Sequence, residues 1–486
     1  MGDLSWYAIT IGLVEWGIRL CLIGVVIARR RNVSTKLAWI IILTVLPIVG
    51  TILYVMIGEN RLGYRRLRRY ALLTQGMDQQ AIRLWKHRHQ NWSGQDAMYE
   101  HIWKLATTEA GLPPLAGNRV ELLARNDRLL ERLTADIDAA RSHCHLLFYI
   151  YTTSPACWKV SEALMRAARR GVTCRLLVDA VGSKQFLRGD EITKMRHAGV
   201  QVVAALPVNP IRLLLSRLDL RNHRKIVVID GRVGYTGSAN LTDSSFRAGW
   251  NRRVGSWIDA MARVEGPAAQ ALSVVFLQDW QAEIDNDSRD VTPYLPELPA
   301  DEVGSSVLQV MPSGPGASPD AIHQLMLTAI YGAREELIIT TPYFVPDEAL
   351  CRALCAAAQR GVAVTLVMPR EVDSPLVAAA SRSSWIDLLG AGVRICLFRG
   401  GLLHAKTFTI DRRIGFIGSA NLDQRSFWLN FEITLIIYDD EVASELRFLQ
   451  VDYIDHADHV HLDEWRSRPR VNQFLDSAAQ MLGPLL

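Results

Sequence analysis

Two stretches of the chain carry the same six chemically capable residues at the same spacing. The first holds His223, Lys225, Asp230, Gly237, Ser238 and Asn240, and the second holds His404, Lys406, Asp411, Gly418, Ser419 and Asn421, each 181 positions later. Six specified residue types at about one in twenty each make one chance match improbable, and a second in step with it more so. A histidine and a lysine two apart on a strand share one face, so imidazole and ammonium can converge on one phosphate. The glycines let backbone approach closely, and Ser238, Asn240, Ser419 and Asn421 can donate to phosphate oxygens.

Such a set suits phosphodiester chemistry. One neutral imidazole can attack phosphorus to give a phosphohistidine, while the other, protonated, delivers a proton to the departing alkoxide. Neighbouring ammonium groups disfavour charge on both rings, which predicts one neutral and one protonated histidine. A carboxylate behind each ring would fix its tautomer. The candidates are Glu432, 28 residues after His404, and Asp259, 36 residues after His223. Asp230 and Asp411 complete the motif, but at an odd separation of seven from their histidines they face away on a straight strand. Asp230-Gly231 is a hairpin signal, so both aspartates are read as scaffold residues in preference to direct acids or bases.

Each motif ends a repeated unit. Phe148-Tyr149-Ile150 leads into EALMRAARRGVTCRLLVDAVGS, and Pro342-Tyr343-Phe344 leads into EALCRALCAAAQRGVAVTLVMPREVDS. Each reads as strand, amphipathic helix ending near Gly171 or Gly361, and second strand, with a further strand at His197–Val203 or Gly390–Phe398. That order predicts an α/β fold in two copies. The halves are placed at 116–290 and 305–486, joined by a polar, proline-bearing connection, with a helical segment over 61–115.

Residues 1–60 look different. Leu37–Ile57 offers 21 residues without a charge, roughly 31 Å as a helix, which matches a bilayer core. Leu4–Ala28 is also apolar and long, with Glu15 and Arg19 placed to pair at i,i+4. We read a transmembrane helical hairpin, with Trp6, Trp16 and Trp39 as interfacial residues. Basic residues follow the first apolar run, which argues against a cleaved signal peptide. Four basic residues in the hairpin loop against five after it leave its orientation open.

The chain has 486 residues and a net charge of +4, and ten basic against three acidic side chains fall within residues 1–74. The remaining body is slightly acidic, which argues against a nucleic-acid-binding surface. Seven cysteines without a CxxC pair indicate neither a disulfide framework nor a zinc ribbon, and His456, His459 and His461 have no usual ligand spacing. Lys86-His87-Arg88-His89 reads as an exposed polar face. Before His223 the first copy carries an extra dozen residues, where Leu213, Leu214, Leu215 and Leu218 with Arg212, Arg217 and Arg221 suit an amphipathic element in a headgroup layer. The C-terminal NQFLDSAAQMLGPLL makes a weaker case of the same kind.

The duplicated HxKx4Dx6GSxN pattern resembles the phospholipase D superfamily. The two apolar N-terminal helices and NLDQRSFWLNFE after the second motif are similar to its bacterial cardiolipin synthase branch, over essentially the whole chain. The resemblance implies two phospholipase-D-like α/β sandwich halves about a pseudo-twofold axis, with both motifs in one cleft and no metal or other cofactor. It implies His223 as nucleophile, His404 as general acid, and Lys225, Lys406, Asn240 and Asn421 on the phosphate. Arg425 and Ser426 stand where the first copy has Ser244 and Ser245, an asymmetry that leaves the order of attack open. The implied reaction joins two phosphatidylglycerol molecules into cardiolipin and glycerol. Membrane lipids are its partners and the bacterial inner membrane its location, with a homo-oligomer an open option. Hydrolysis or transfer to another alcohol is the alternative.

Overall fold

The computed structural model describes residues 2–29, 33–58, 64–85, 99–207, 217, 219–243, 254–284, 290–297, 303–316, 320–481 and 483. The chain divides into two compact units, one of Met1–Arg65 with Val208–Leu220 and one of Arg66–Pro207 with Arg221–Leu486. Lys86–His89, Arg212–Leu215, Leu218, Ser244 and Ser245, all singled out in the sequence, lie outside the described residues.

In the smaller unit, helix Gly2–Ala28 is followed by helix Val33–Val45. Glu15 and Arg19 pair at 2.9 Å within the first. The uncharged run Leu37–Ile57 is not one helix, contrary to the sequence expectation. It breaks at Leu46 (φ −121°, ψ 74°) and resumes as Pro47–Leu53 and a wide turn over Tyr54–Gly58. Proline disfavours the helical conformation in the residue before it, which is why the break falls there. Among the described residues no helix is long and apolar enough to cross a membrane. Trp6 and Trp16 are exposed, but Trp39 is buried edge-on against Tyr54, which corrects its reading as an interfacial residue.

The larger unit is built on one mixed sheet. The first half contributes β1 (Leu115–Leu123), β2 (His143–Phe148), β3 (Thr173–Asp179), β4 (Gln201–Ala205), β5 (Arg221–Asn222), β6 (Ile226–Ile229), β7 (Val233–Gly237), β8 (Trp257–Ile258) and β9 (Met261–Glu265). The second contributes β10 (Ser306–Ser313), β11 (Glu336–Thr340), β12 (Phe344–Val345), β13 (Ala363–Pro369), β14 (Arg394–Phe398), β15 (Leu402–Leu403), β16 (Thr407–Ile410), β17 (Ile414–Gly418), β18 (Leu422–Asp423), β19 (Asn430–Tyr438) and β20 (Ala457–His459). The main order is β4-β3-β2-β6-β7-β9-β1-β10-β19-β17-β16-β11-β13-β14-β20. Read outward from the antiparallel β1·β10 contact, both sides follow a matching succession of strands, which is the two-copy organisation in physical form.

β2, β3, β11 and β13 are buried along most of their length because helices cover both faces of the sheet, as parallel strands require. Helices Pro155–Arg169 and Glu348–Gln359 cross over between them with one buried apolar stripe each. Gly171 (φ 91°) and Gly361 (φ 95°) turn the chain out of these helices through the left-handed conformation that glycine tolerates.

One hydrophobic core runs across both halves, from Leu147, Ile226 and Val228 to Ile338, Ile417 and Ile433. Helix Pro267–Glu283 lies inside it, buried along nearly all its length. Helix Tyr64–Leu84 joins the same core through Leu73, Met77 and Ala81. Helix Glu100–Ala110 packs into a second core under β11 and β13.

Candidate active site

Both His-x-Lys segments sit in extended links between a two-residue strand and a longer one, β5 to β6 and β15 to β16, rather than within a strand as the sequence suggested. The short strands pair across the halves. β5 pairs with β19, Asn222 opposite Phe431, and β15 pairs with β8, Leu403 opposite Ile258. His223 N then donates to Phe431 O at 2.9 Å, and His404 N to Ile258 O at 2.7 Å. The backbone of one half therefore places the histidine of the other.

This crossing decides the carboxylates. His223 Nδ1 lies 2.9 Å from Glu432 Oε2, and His404 Nδ1 lies 2.6 Å from Asp259 Oδ1. The candidates are those the sequence singled out, but the partners are exchanged, because the strand that follows each motif leads its carboxylate to the opposite histidine. A carboxylate on Nδ1 places the proton there, leaving Nε2 with its lone pair for a reacting atom.

The serines act on these carboxylates. Ser238 Oγ donates to Asp259 Oδ1 at 2.7 Å and accepts from Ala260 N at 2.9 Å. Ser419 Oγ donates to Glu432 Oε2 and accepts from Ile433 N. Their hydroxyl protons are thus committed, which corrects the expectation that they bind phosphate. The asparagines differ. Asn240 Oδ1 accepts from Ile150 N at 3.1 Å, while its Nδ2 is buried without a partner, as is Asn421 Oδ1. A buried polar atom left unsatisfied costs about 1–3 kcal/mol, which a phosphate oxygen arriving at the Asn240 Nδ2 donor would relieve, whereas Asn421 Oδ1 is an acceptor and takes a donor instead.

Lys225 Nζ and Lys406 Nζ each donate at 2.6 Å to the backbone carbonyl of their own histidine. Both lysines are buried, and each acts electrostatically on both rings. Burial, reinforced by the lysines and opposed by the carboxylates, pushes the His223 and His404 imidazoles down to about 4. Both rings are therefore neutral at pH 7 with the site empty, not one neutral and one protonated. Burial also brings Lys225 down to about 8 and Lys406 below its ordinary value. It works against charge on Asp259 too, but His404, Lys406 and Ser238 outweigh it and hold that carboxyl at about 2. Glu432 is held low in the same way by His223, Lys225 and Ser419.

Asp230 and Asp411 lie behind the motifs. Asp230 accepts from the backbone of Arg141, Ser142 and His143 at 2.7–2.9 Å. Asp411 accepts from Arg334, Glu335 and Glu336 and from the Tyr99 hydroxyl. Each starts a three-residue hairpin connection whose β-turn has both central residues left-handed, Asp230-Gly231 (φ 54° and 61°) and Asp411-Arg412 (φ 52° and 61°).

Sequence reasoning missed three participants. Tyr149 sets its ring 4.9 Å from that of His223, and Trp257 lies 4.5 Å from that of His404. Arg224, inside the first motif, is buried and donates to Asp279 (2.8 Å), Tyr70 Oη (3.0 Å), Glu432 O (3.0 Å) and Ser313 O (3.1 Å). It ties helices Tyr64–Leu84 and Pro267–Glu283 to β10 and β19. The signal was present as a difference between the copies, since Ala405 occupies the corresponding place.

Two buried imidazoles, each on its own carboxylate, with two lysines acting on both, define a duplicated histidine site of the phospholipase D type on a pseudo-twofold α/β sheet. The chain belongs to that superfamily's cardiolipin synthase family: the family model described as "Cardiolipin synthase, PLD-like domain" matches residues 133–280 and 326–448. A second model, "Phospholipase_D-nuclease N-terminal", matches residues 19–59. Proteins described as cardiolipin synthase A from Yersinia pseudotuberculosis serotype O:1b (strain IP 31758) and Yersinia pestis bv. Antiqua (strain Angola) are each 41% identical over 485 residues, covering 99% of this chain and 100% of theirs. Among solved structures, phosphatidylserine synthase from Haemophilus influenzae Rd KW20 shares the fold, with a TM-score of 0.59 at 16% identity over 79% of this chain and 99% of that one.

Proposed function

We propose that this protein transfers the phosphatidyl group of one phosphatidylglycerol to a hydroxyl of another, giving cardiolipin and glycerol. The observation that carries the reading is the crossed arrangement His223–Glu432 and His404–Asp259, with Lys225 and Lys406 acting on both rings. The cardiolipin synthase relatives, matched end to end, specify the substrate class.

A phosphodiester anion entering between the two lysines supplies the negative charge that the rings lack, so one imidazole can take a proton once substrate is bound. His223 Nε2 attacks phosphorus and the bond from phosphorus to the glycerol oxygen breaks. His404, protonated at Nε2, gives that proton to the departing glycerol. The second phosphatidylglycerol then loses its hydroxyl proton to the now neutral His404, its oxygen attacks phosphorus, and the bond to His223 breaks. Glu432 and Asp259 stabilise whichever ring bears positive charge, and Asn240 and Asn421 hold the phosphoryl oxygens. Asp230 and Asp411 anchor the two hairpins that carry the motifs.

The smaller unit acts as the membrane anchor in this reading. Leu13, Leu20, Ile41 and Ile48 of its helices are exposed, which suits contact with lipid. The two-span, inner-membrane arrangement is part of the same proposal.

Purified protein given phosphatidylglycerol alone is expected to form cardiolipin and glycerol in equal amounts. Phosphatidic acid and glycerol without cardiolipin would overturn transfer in favour of hydrolysis, and no turnover at all would overturn the reading.

A further inference from the structure

The C-terminal helix Arg470–Met481 is turned inside out. A surface helix ordinarily packs its apolar stripe on the body and leaves charge outside. Here Asp476 and Ala479 are the buried positions, whereas Val471, Phe474, Leu475 and Met481 are 56–71% exposed. The orientation is fixed from within. Asp476 is 3% exposed and accepts from Arg382 at 2.9 Å and from Arg468 at 2.7 Å, so the helix cannot roll its apolar side inward without pulling this carboxylate away from two guanidinium groups. Ala479 packs with Val345 and Ala380. Val345 belongs to β12, which pairs with β18, the strand that follows Asn421 directly. The helix therefore lies beside the phosphate-binding part of the active site, its outer stripe is contiguous at i, i+3 and i+4 spacing, and exposed Arg466 and Arg470 flank its start.

We propose that this helix lies in the surface of the phospholipid layer that supplies the substrate, with Val471, Phe474, Leu475 and Met481 among acyl chains and Arg466 and Arg470 at anionic headgroups. The inference rests on the reading that the substrate is a phospholipid. A lipid layer suits the stripe better than a protein. Four side chains on one short helix offer on the order of a few hundred Å², against about 800 Å² per partner in a stable protein interface, and the flanking arginines match anionic lipid. Lipid contact beside the mouth would deliver a second phosphatidylglycerol in preference to water.

The test uses the full chain and two forms of phosphatidylglycerol, one in vesicles and one with short acyl chains, dissolved below its micelle concentration. The double variant Phe474→Glu, Leu475→Glu is expected to lose about tenfold in vesicle turnover and stay within twofold on the dissolved substrate, while Phe474→Leu keeps both. Equal losses on both substrates, or unchanged vesicle turnover, would overturn the proposal. A changed oligomeric state with unchanged vesicle turnover would assign the stripe to a second copy instead. A readout independent of catalysis is tryptic cleavage after Arg470, expected to be at least fivefold slower in phosphatidylglycerol vesicles than in phosphatidylcholine vesicles. Should the enzyme turn over neither substrate, the proposed reaction fails, and this cleavage ratio alone decides the helix, with equal rates overturning it.

Discussion

The exchange of carboxylates between the halves makes a prediction that sequence proximity would not. Glu432→Gln keeps the shape of the side chain and removes the charge facing His223 Nδ1 at 2.9 Å. A hydrogen bond to a charged group contributes about 1.5–3 kcal/mol, and a unit charge about 4 Å from another at an effective dielectric of 20 contributes about 4 kcal/mol. Because the ring is positive only during reaction, that loss falls on the barrier, and a rate reduction of about a hundredfold is expected. Asp259→Asn should cost a similar amount through His404. The assay compares phosphatidylglycerol with a phosphatidyl ester of a phenol that departs without protonation. Losing the acid matters little for the phenol ester, whereas losing the nucleophile matters equally for both. Variants must therefore sort as His223→Ala with Glu432→Gln and His404→Ala with Asp259→Asn, one pair rescued by the phenol ester and the other not. If Glu432→Gln sorts with His404→Ala, the reasoning is wrong, whichever histidine attacks first.

Three further outcomes follow from the buried network. Arg224→Met leaves the buried Asp279 without its guanidinium partner, so a loss of about 3–5 kcal/mol is expected in denaturant unfolding, with most of it recovered in the double variant Arg224→Met, Asp279→Leu; no recovery would contradict the assignment of Arg224 as a structural tie. Asp230→Ala strands three backbone donors and should cost about 1–3 kcal/mol in stability while turnover per folded molecule stays within about threefold; a large fall in kcat at unchanged Tm would make Asp230 an acid or base. Stability should also fall with acidification. Burial holds His143, His223 and His404 at about 4 and His145 lower still, so between about pH 6 and 4.5 the unfolded chain protonates four imidazoles that the folded one does not. Burial raises Asp78 to about 7 and Asp423 to about 6, so in the same window the folded chain holds two protons that the unfolded one releases. The net uptake of two protons on unfolding gives a slope of about 2.7 kcal/mol per pH unit. Neither ring nitrogen of His145 has a partner, and its ring stacks on Phe276 at 4.6 Å. His145→Phe should therefore stabilise the protein and, by removing one proton from the net uptake, lower that slope from about 2.7 to about 1.4 kcal/mol per pH unit; an unchanged slope would show that His145 does not titrate on unfolding.

The repeat made the fold legible. Helices ending at Gly171 and Gly361 and the strands after them could be read from apolar periodicity and from glycines at the positions where the chain must turn left-handed. The conserved spacing of 181 likewise pointed to His223, Lys225, His404 and Lys406, because duplicated chemistry at fixed intervals is a local signal. Which carboxylate serves which histidine was not local. It depends on two-residue strands pairing across more than 140 positions, β5 with β19 and β8 with β15, and nothing in the composition of Arg221-Asn222 or Trp257-Ile258 announces a partner. The serine hydroxyls were misassigned for the same reason, since Ser419 is turned toward Glu432 only by the register of β17 against β19. The uncharged run from Leu37 failed as one helix at a single residue, where Pro47 overrode the apolar pattern.

The exchanged strands also bear on how such a chain can change over time. Neither half contains a complete working pair of imidazole and carboxylate, because each borrows its anion from the other. Decay of one whole copy therefore takes the imidazole from one reacting centre and the carboxylate from the other, and the usual freedom of a duplicated unit to let one copy decay is closed. Divergence is confined to places outside the exchange, and the difference between Ala405 in one copy and the buried, fourfold-bonded Arg224 in the other is such a place.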